Sequence, residues 1–334
     1  MLDLNELLKE NSSPKRLILI LLALSLLVFP VITNDYYILT ILIYANVYAV
    51  FAASWDLLAG VTGQFSFGQA LFFGVAAYVS GYLNLHMGLP PLVAVPLGGA
   101  FGVLVGFIVA APSLRLKGPY FAITSLIFPS ILSGIIYMYP ELTGGDKGLY
   151  GITQLSNDIT ITYYLSLFLM LITIFTLFKI ASSRIGMIFR SIRDDEDVAE
   201  ASGINTVKYK FLSFGLSGLF AGIAGAFQAH LLMFIGPFIF NPFYSFQAML
   251  YAGLGGMGTI IGSVGGAYLM SILNEMLRDL VEFRVLITAF VMLLVFRYLP
   301  GGLFRWISIR FKIHIGIWNG LKKIKRRQQI DTDS

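Results

Sequence analysis

Long apolar runs alternate with short polar breaks along this chain, and ten of the runs have the length of a membrane crossing or come close to it. They lie near 17–33, 37–59, 69–85, 91–112, 119–139, 162–181, 210–234, 243–256, 262–279 and 284–299. A helix needs about 20 apolar residues to cross roughly 30 Å of hydrocarbon. Most of the runs also lack the polar outer face that a helix in a soluble protein keeps. The pattern predicts an all-α, polytopic membrane protein of about ten transmembrane helices. The second, third, eighth and ninth runs are interrupted or abutted by glycine-rich segments, and the eighth is too short to span as a simple helix. This divides the chain into an N-terminal tail (1–16), a membrane domain (17–299) and a basic polar tail (300–334).

One polar break is unlike the others. Residues 182–210 are densely charged and cannot lie in lipid, where ionised side chains are costly. They read as a sizeable loop at one membrane face that carries a short helix over 195–202. Asp194 or Asp195 is placed to cap that helix, and Gly203 to end it. Arg190 and Asp194, like Arg193 and Asp197, are four apart, a spacing that pairs side chains along one helix face. A small helix held out of an otherwise buried protein is a handle for a partner; a plain solvated loop is the alternative.

Composition narrows the picture. Of the 334 residues, 57% are hydrophobic and 12% charged, about half the charged share of soluble domains. With no cysteine, disulfides and thiolate-bound metals are excluded. His86, His230 and His314 lack metal-ligand spacing and read as incidental interfacial residues. The first run has no small-residue cleavage site after it and reads as a crossing rather than a signal peptide. The net charge of +5 belongs to short loops and tails, so it reports topology and not nucleic-acid binding. With the N-terminus inside, nineteen of the 23 Lys and Arg residues fall on the cytoplasmic side, as the positive-inside rule asks. Both termini and the 182–210 loop are then cytoplasmic, and 140–161 is the longest outer loop.

Three glycine-bearing stretches carry candidate chemistry. Gly60-Val-Thr-Gly-Gln-Phe-Ser-Phe-Gly-Gln-Ala70 breaks an apolar run at membrane depth. Irregular backbone survives there only when buried in protein or lining a cavity, and broken helices often line substrate paths. Its glycines fit close helix packing equally well. Gln64, Ser66 and Gln69 supply uncharged hydrogen-bonding groups, and path lining is preferred for Gln64 and Ser66. Asp56, a carboxylate in an apolar context, is a functional candidate by default, unless it simply reaches the interface. Gly253–Ala267 holds seven glycines and almost no polar side chain, which favours close helix crossing. Thr143, Gly144 and Gly145 open the outer-loop stretch TGGDKG, which offers backbone N–H groups to an anion, or simply tight turns, at a docking or gating surface. No Gly-Lys-Ser/Thr loop occurs, so the chain should not hydrolyse ATP itself.

Taken in order, these motifs resemble the permease family of branched-chain amino-acid ABC transporters, the LivH/LivM type. The resemblance runs through LLAGVTGQFSFGQALFFG from Leu57, LRLKGPYFAI from Leu114, TGGDKGL from Thr143, IRDDEDVAEASGIN from Ile192 and GLGGMGTIIG from Gly253. It covers about residues 35–300, and the second and third elements are closer to LivM than to LivH. Relatives often carry His and Asn where this chain has Gln69 and Asp56.

The resemblance implies a fold of the ten-helix ABC importer type and a division of labour. Two permease chains, this one and a second, LivH-type chain, would form the path in the bilayer. Two cytoplasmic ABC ATPases would bind the segment with Arg193, Glu196, Glu200, Ala201 and Gly203. An extracytoplasmic binding protein would deliver substrate to the outer face, and the setting would be the plasma membrane of a prokaryote. No cofactor, metal or catalytic residue is implied in this chain. Relatives that carry urea or short amides keep that substrate class as an alternative. An ion-coupled secondary carrier is another; it would need intramembrane ionisable groups such as Asp56, with Glu275 and Asp279 nearer the outer end.

Overall fold

The computed structural model describes residues 25–33, 35–113, 116, 118–280, 283–298 and 301–303. The tail 1–16, the first half of the expected 17–33 crossing, the basic residues Arg115 and Lys117, and nearly all of the tail 300–334 lie outside the described residues. A helical stretch over 25–32 precedes α1 (Tyr36–Asp56), which Asp35 starts by accepting a hydrogen bond from the Tyr37 N–H at 2.9 Å. Among the described residues the other regular elements are helices apart from one pair of two-residue strands, as an apolar chain at membrane depth requires.

Helix α1 runs into a π-helical turn, Leu57–Val61, and then unwinds over 62–68 before α2 (Gln69–Met87) begins. Gly88 takes a left-handed φ of +66° and closes α2, and two prolines then open α3 (Pro91–Ser113). Next come α4 (Pro119–Ser125) and α5 (Ile127–Met138), two halves of one apolar span. After a further helical turn and strand β1 (Leu149–Tyr150), α6 (Ile159–Ser182) begins under an Asp158 cap. Two short helices, α7 (Arg184–Asp194) and α8 (Glu196–Ala201), lead to α9 (Thr206–Leu232). Strand β2 (Phe234–Ile235) pairs antiparallel with β1, and α10 (Pro242–Gly255), α11 (Ile261–Met276) and α12 (Arg284–Tyr298) follow.

Among the described residues, six helical spans are long and apolar enough to cross a membrane: Tyr36–Val61, Gln69–Met87, Pro91–Pro112, Pro119–Met138, Ile159–Ser182 and Thr206–Leu232. The molecule is therefore an all-α, multi-pass membrane protein. Three further expected crossings are the shorter helices α10, α11 and α12; at 14 residues, α10 is about 21 Å long, less than the hydrocarbon thickness.

Helix α9 is the axis of the subunit, with 72% of its most apolar window buried. It owes this to small residues. A Cβ on Gly106 of α3 would lie 2.6 Å from the Phe214 carbonyl oxygen, and one on Gly222 would lie 3.3 Å from the Gly99 Cα. Gly102 and Gly106 thus let α3 lie directly on the Gly215–Gly225 stretch of α9, and Gly98, next in the same four-residue repeat, lets it approach α2, where a Cβ would lie 2.6 Å from the Ala76 carbonyl oxygen. Close crossing, expected at Gly253–Ala267, also holds: a Cβ on Gly266 would come within 2.8 Å of the Gly255 amide nitrogen.

The two ends of α9 organise the two faces. At 27 residues it separates them by about 40 Å. At its start lies the charged 183–205 segment, and just past its end the β1–β2 pair. There His230 corrects the reading of it as an incidental interfacial residue, because it is fully buried and doubly bonded. Its Nδ1 faces the Thr153 carbonyl at 2.7 Å and its Nε2 faces Ser80 Oγ at 2.9 Å. A carbonyl only accepts, so Nδ1 carries the proton and Nε2 accepts from the serine. Asn84 adds bonds to the Thr153 N–H and hydroxyl, so the loop after β1 is sewn to α2 and α9.

Candidate functional site

The break after α1 sits where three segments meet. Within the π turn, Gly60 lies so close to Asp56 and Gly258 that a side chain there would overlap both. The Asp56 carboxylate accepts from the Gly258 N–H at 2.6 Å and the Ile260 N–H at 2.8 Å. These donors belong to the turn before α11, where Gly258 has φ +80° and Ile260 is strained at φ +46°. Asp56 therefore caps a neighbouring helix from across the fold, with its negative charge at that helix's positive end.

The other side of the break is held by α7. Arg193 Nη1 donates to the Gly60 carbonyl at 3.0 Å, and its Nε and Nη2 both donate to Asp194. Gly63, at φ +77°, leaves the room this needs, since a Cβ there would lie 2.6 Å from Arg193 Cγ. Arg193 and Asp197 do not lie along one helix as the four-residue spacing predicted. The helix ends at Asp194 and restarts after Asp195, so the two residues share no helix face. Arg190 likewise turns back to donate to the Ala181 carbonyl at 2.8 Å, closing the end of α6.

The polar side chains of the break are placed as follows. Ser66 is buried, and its Oγ accepts from the Gly68 N–H at 3.1 Å. Gln69, also buried, donates to Ser54 Oγ at 2.9 Å and Ser217 Oγ at 3.2 Å, tying α1, α2 and α9 together. Gln64 is half-buried, and its backbone N–H reaches Leu58 O at 3.0 Å. Of the four residues singled out around the break, Asp56, Ser66 and Gln69 lie inside the subunit, and Gln64 alone meets its surface.

The charged segment is more ordered than a loop. Residues 184–194 form α7, with Gly186, Phe189 and Ile192 on its buried side. Asp195, not Asp194, caps α8 by accepting from the Val198 N–H at 3.0 Å. The helix ends in two reversed bonds, Gly203 N–H to Glu200 O at 2.9 Å and Ile204 N–H to Ala199 O at 3.1 Å, with Gly203 at φ +84°. This is a Schellman closure, which needs the left-handed residue. Glu196 faces inward and pairs with Lys210 at 2.6 Å, the lysine being 1% exposed. Val198, Glu200, Ala201 and Gly203 are exposed.

At the opposite face, Thr143 Oγ1 donates to the Ile136 and Tyr139 carbonyls and accepts from the Gly145 N–H at 3.2 Å. Gly144, Gly145 and Gly148 all take positive φ, and Gly148 packs on the backbone of β2. The stretch is a rigid set of tight turns.

Such an assembly, with helices at membrane depth, a broken helix at their centre and a capped polar helix at one face, has the build of a membrane permease. The chain belongs to the family described as "Branched-chain amino acid transport system / permease component", whose model matches residues 37–296. It is thus a transport subunit and not an enzyme. It is 26% identical to the high-affinity branched-chain amino acid transport system permease protein LivM of Salmonella typhimurium, over 81% of this chain and 70% of that one. It is 24% identical to the corresponding LivH of Escherichia coli, over 77% and 91%, and 22% identical to the fructose import permease protein FrcC of Rhizobium meliloti, over 80% and 79%. No solved structure matches the chain.

Proposed function

We propose that this chain is the membrane-spanning permease subunit of an ATP-driven ABC importer for branched-chain or related amino acids. It would sit in a prokaryotic plasma membrane with both termini and the 183–205 segment in the cytoplasm, and the shorter helices α10–α12 would complete an importer fold of about ten crossings. A second permease of the LivH type would complete the path, two cytoplasmic ATPases would dock at α8, and a binding protein would deliver substrate at the TGGDKG face. The observation that carries this reading is the junction of Arg193 with the Gly60 carbonyl, because it joins the exposed end of α7–α8 to the broken helix.

Transport would be alternating access between two states, biased by nucleotide on one side and by loaded binding protein on the other. The ATPases would move α8 through its exposed residues Val198, Glu200, Ala201 and Gly203. Arg193 would pass the movement to the break, where Gln64 lines the path while Asp56, Ser66 and Gln69 hold its walls. Thr143, Gly144 and Gly145 would fix the docking surface outside. A proton-coupled carrier is less well supported, since both oxygens of Asp56, its best candidate carboxylate, are occupied by backbone N–H groups.

Affinity purification of the tagged chain from native membranes, with co-purifying proteins identified by mass spectrometry, tests the assembly. Two Walker-motif ATPases and a second permease are expected. A chain that purifies alone and still transports after reconstitution would overturn the reading.

A further inference from the structure

A cleft of about 450 Å³ opens beside α5 at the β1–β2 face, a volume within the range of small-molecule sites. The surrounding span Pro119–Met138 is the least buried of the six, with 28% of its most apolar window covered. Ser130, Ser133 and Tyr137 fall at i, i+3 and i+7 of α5, one face of a helix, and all three line the cleft. The two serines differ from four others that lie in helices. Ser54, Ser125, Ser166 and Ser213 each bond back to a carbonyl of their own helix. Ser130 and Ser133 make no hydrogen bond among the described residues, so their hydroxyls are free to donate.

The other walls complete a mixed surface. Asp146, held over the opening by the turns at Gly144, Gly145 and Gly148, brings the one charged side chain of the lining. It has no ion pair among the described residues. Pro237 and Phe238 are apolar. Phe240 forms a fixed floor, fully buried in the notch left by Gly74 and stacked on Tyr78 at 5.8 Å between ring centroids. The Tyr78 hydroxyl is buried and has no hydrogen-bond partner among the described residues.

We infer that this cleft is a substrate subsite for a small zwitterionic amino acid with an apolar side chain, resting on the importer reading above. Asp146 pairs with the α-ammonium group, the Ser130 and Ser133 hydroxyls donate to the α-carboxylate, and Pro237 and Phe238 receive the side chain. The lining has no Lys or Arg, which disfavours a net anion. Its single carboxylate favours an ammonium over neutral urea or a short amide. The cleft thus selects on the amine, and the aromatic wall selects on the side chain.

The test uses the assembled transporter with its binding protein in proteoliposomes and photo-leucine, the diazirine analogue of leucine, as probe. Adducts on segments 130–137 and 237–242 are expected, suppressed by excess leucine but not by 4-methylpentanoate, which lacks the amine. Asp146→Asn should reduce both labelling and leucine transported per ATP by about tenfold, the loss of one charge-assisted contact. Ser130→Ala/Ser133→Ala should act in the same direction. In Ser130→Ala/Ser133→Ala, whose residues lie outside the TGGDKG docking face, ATPase stimulation by loaded binding protein should persist, which separates a subsite from a docking contact. Leucine transport with labelling elsewhere, or unchanged in both variants, would overturn the subsite and leave the importer standing. A wild-type complex that carries urea and not leucine would instead overturn the substrate class.

Discussion

Arg193 and Gly60 are 133 residues apart, yet the guanidinium of one donates to the carbonyl of the other at 3.0 Å. Gly60 has no side chain because Asp56 and Gly258 fill the space, and Gly63 has none because Arg193 does. The end of α7 is thus locked to the helix break without any intervening side chain. A hydrogen bond from a charged donor contributes about 1.5–3 kcal/mol. Arg193 is 38% exposed in its side chain, which places it at the low end. Arg193→Ala should therefore lower the ratio of substrate-stimulated to basal ATPase in the reconstituted complex by about tenfold. Arg193→Lys should restore little, since a point charge does not reproduce the planar fork that also holds Asp194. An unchanged ratio in Arg193→Ala would show that this junction transmits nothing.

Asp56 offers a second test, because its two oxygens hold two N–H groups of the turn before α11. Asp56→Ala leaves both donors buried and unpaired, at about 1–3 kcal/mol each. Asp56→Asn keeps one acceptor oxygen and should lose roughly half as much. Thermal unfolding of the detergent-solubilised complex should follow that order. Asp56→Asn should also keep substantial transport. If it abolished transport with thermal stability intact, Asp56 would be carrying protons and the carrier reading would revive.

The long crossings were legible in the sequence because hydropathy alone dictates them; the runs at 37–59, 69–85 and 91–112 match α1, α2 and α3 closely. What hydropathy conceals is amphipathic structure inside a charged segment. Helix α7 shows apolar Gly186, Phe189 and Ile192 at steps of three, a signal present in the residues but outweighed by the surrounding charge. The four-residue glycine spacing of α3 was equally readable, and it explains why α9 lies so deep. The contacts of Asp56 and Arg193 were not readable, since nothing local in sequence names a partner more than a hundred residues away. The same holds for His230, whose role depends on where Ser80 and Thr153 arrive.

Gly203 separates backbone from packing. A Cβ there would meet nothing within 4 Å, yet φ is +84°. Any cost of substitution is therefore conformational, about 1–2 kcal/mol for a non-glycine residue in the left-handed region and more for a β-branched one. Gly203→Val should fray the end of α8 and reduce substrate-stimulated ATPase, while Gly203→Asn, which tolerates that region, should stay near wild type. Equal activity in the two variants would mean that the shape of this helix end does not matter to coupling.

The pair Lys210–Glu196 fixes α8 to α9 at 2.6 Å, with the lysine buried and the glutamate 20% exposed. Removing one member of a buried pair strands the other and costs about 3–5 kcal/mol, while replacing both is often nearly neutral. Water reaches Glu196, so Lys210→Met should fall at the low end of that range. It should also loosen α8, reducing the amount of ATPase that co-purifies. Lys210→Met/Glu196→Gln should recover part of the thermal stability, because neither member of this pair is left charged without the other. Its effect on coupling then decides what the pair is for. If the double variant is stable and binds the ATPases but transports poorly, the ion pair holds α8 in the register that coupling needs. If it transports at the wild-type rate, packing around Ala199 and Ile192 is enough to set that register, and the ion pair is not needed for it.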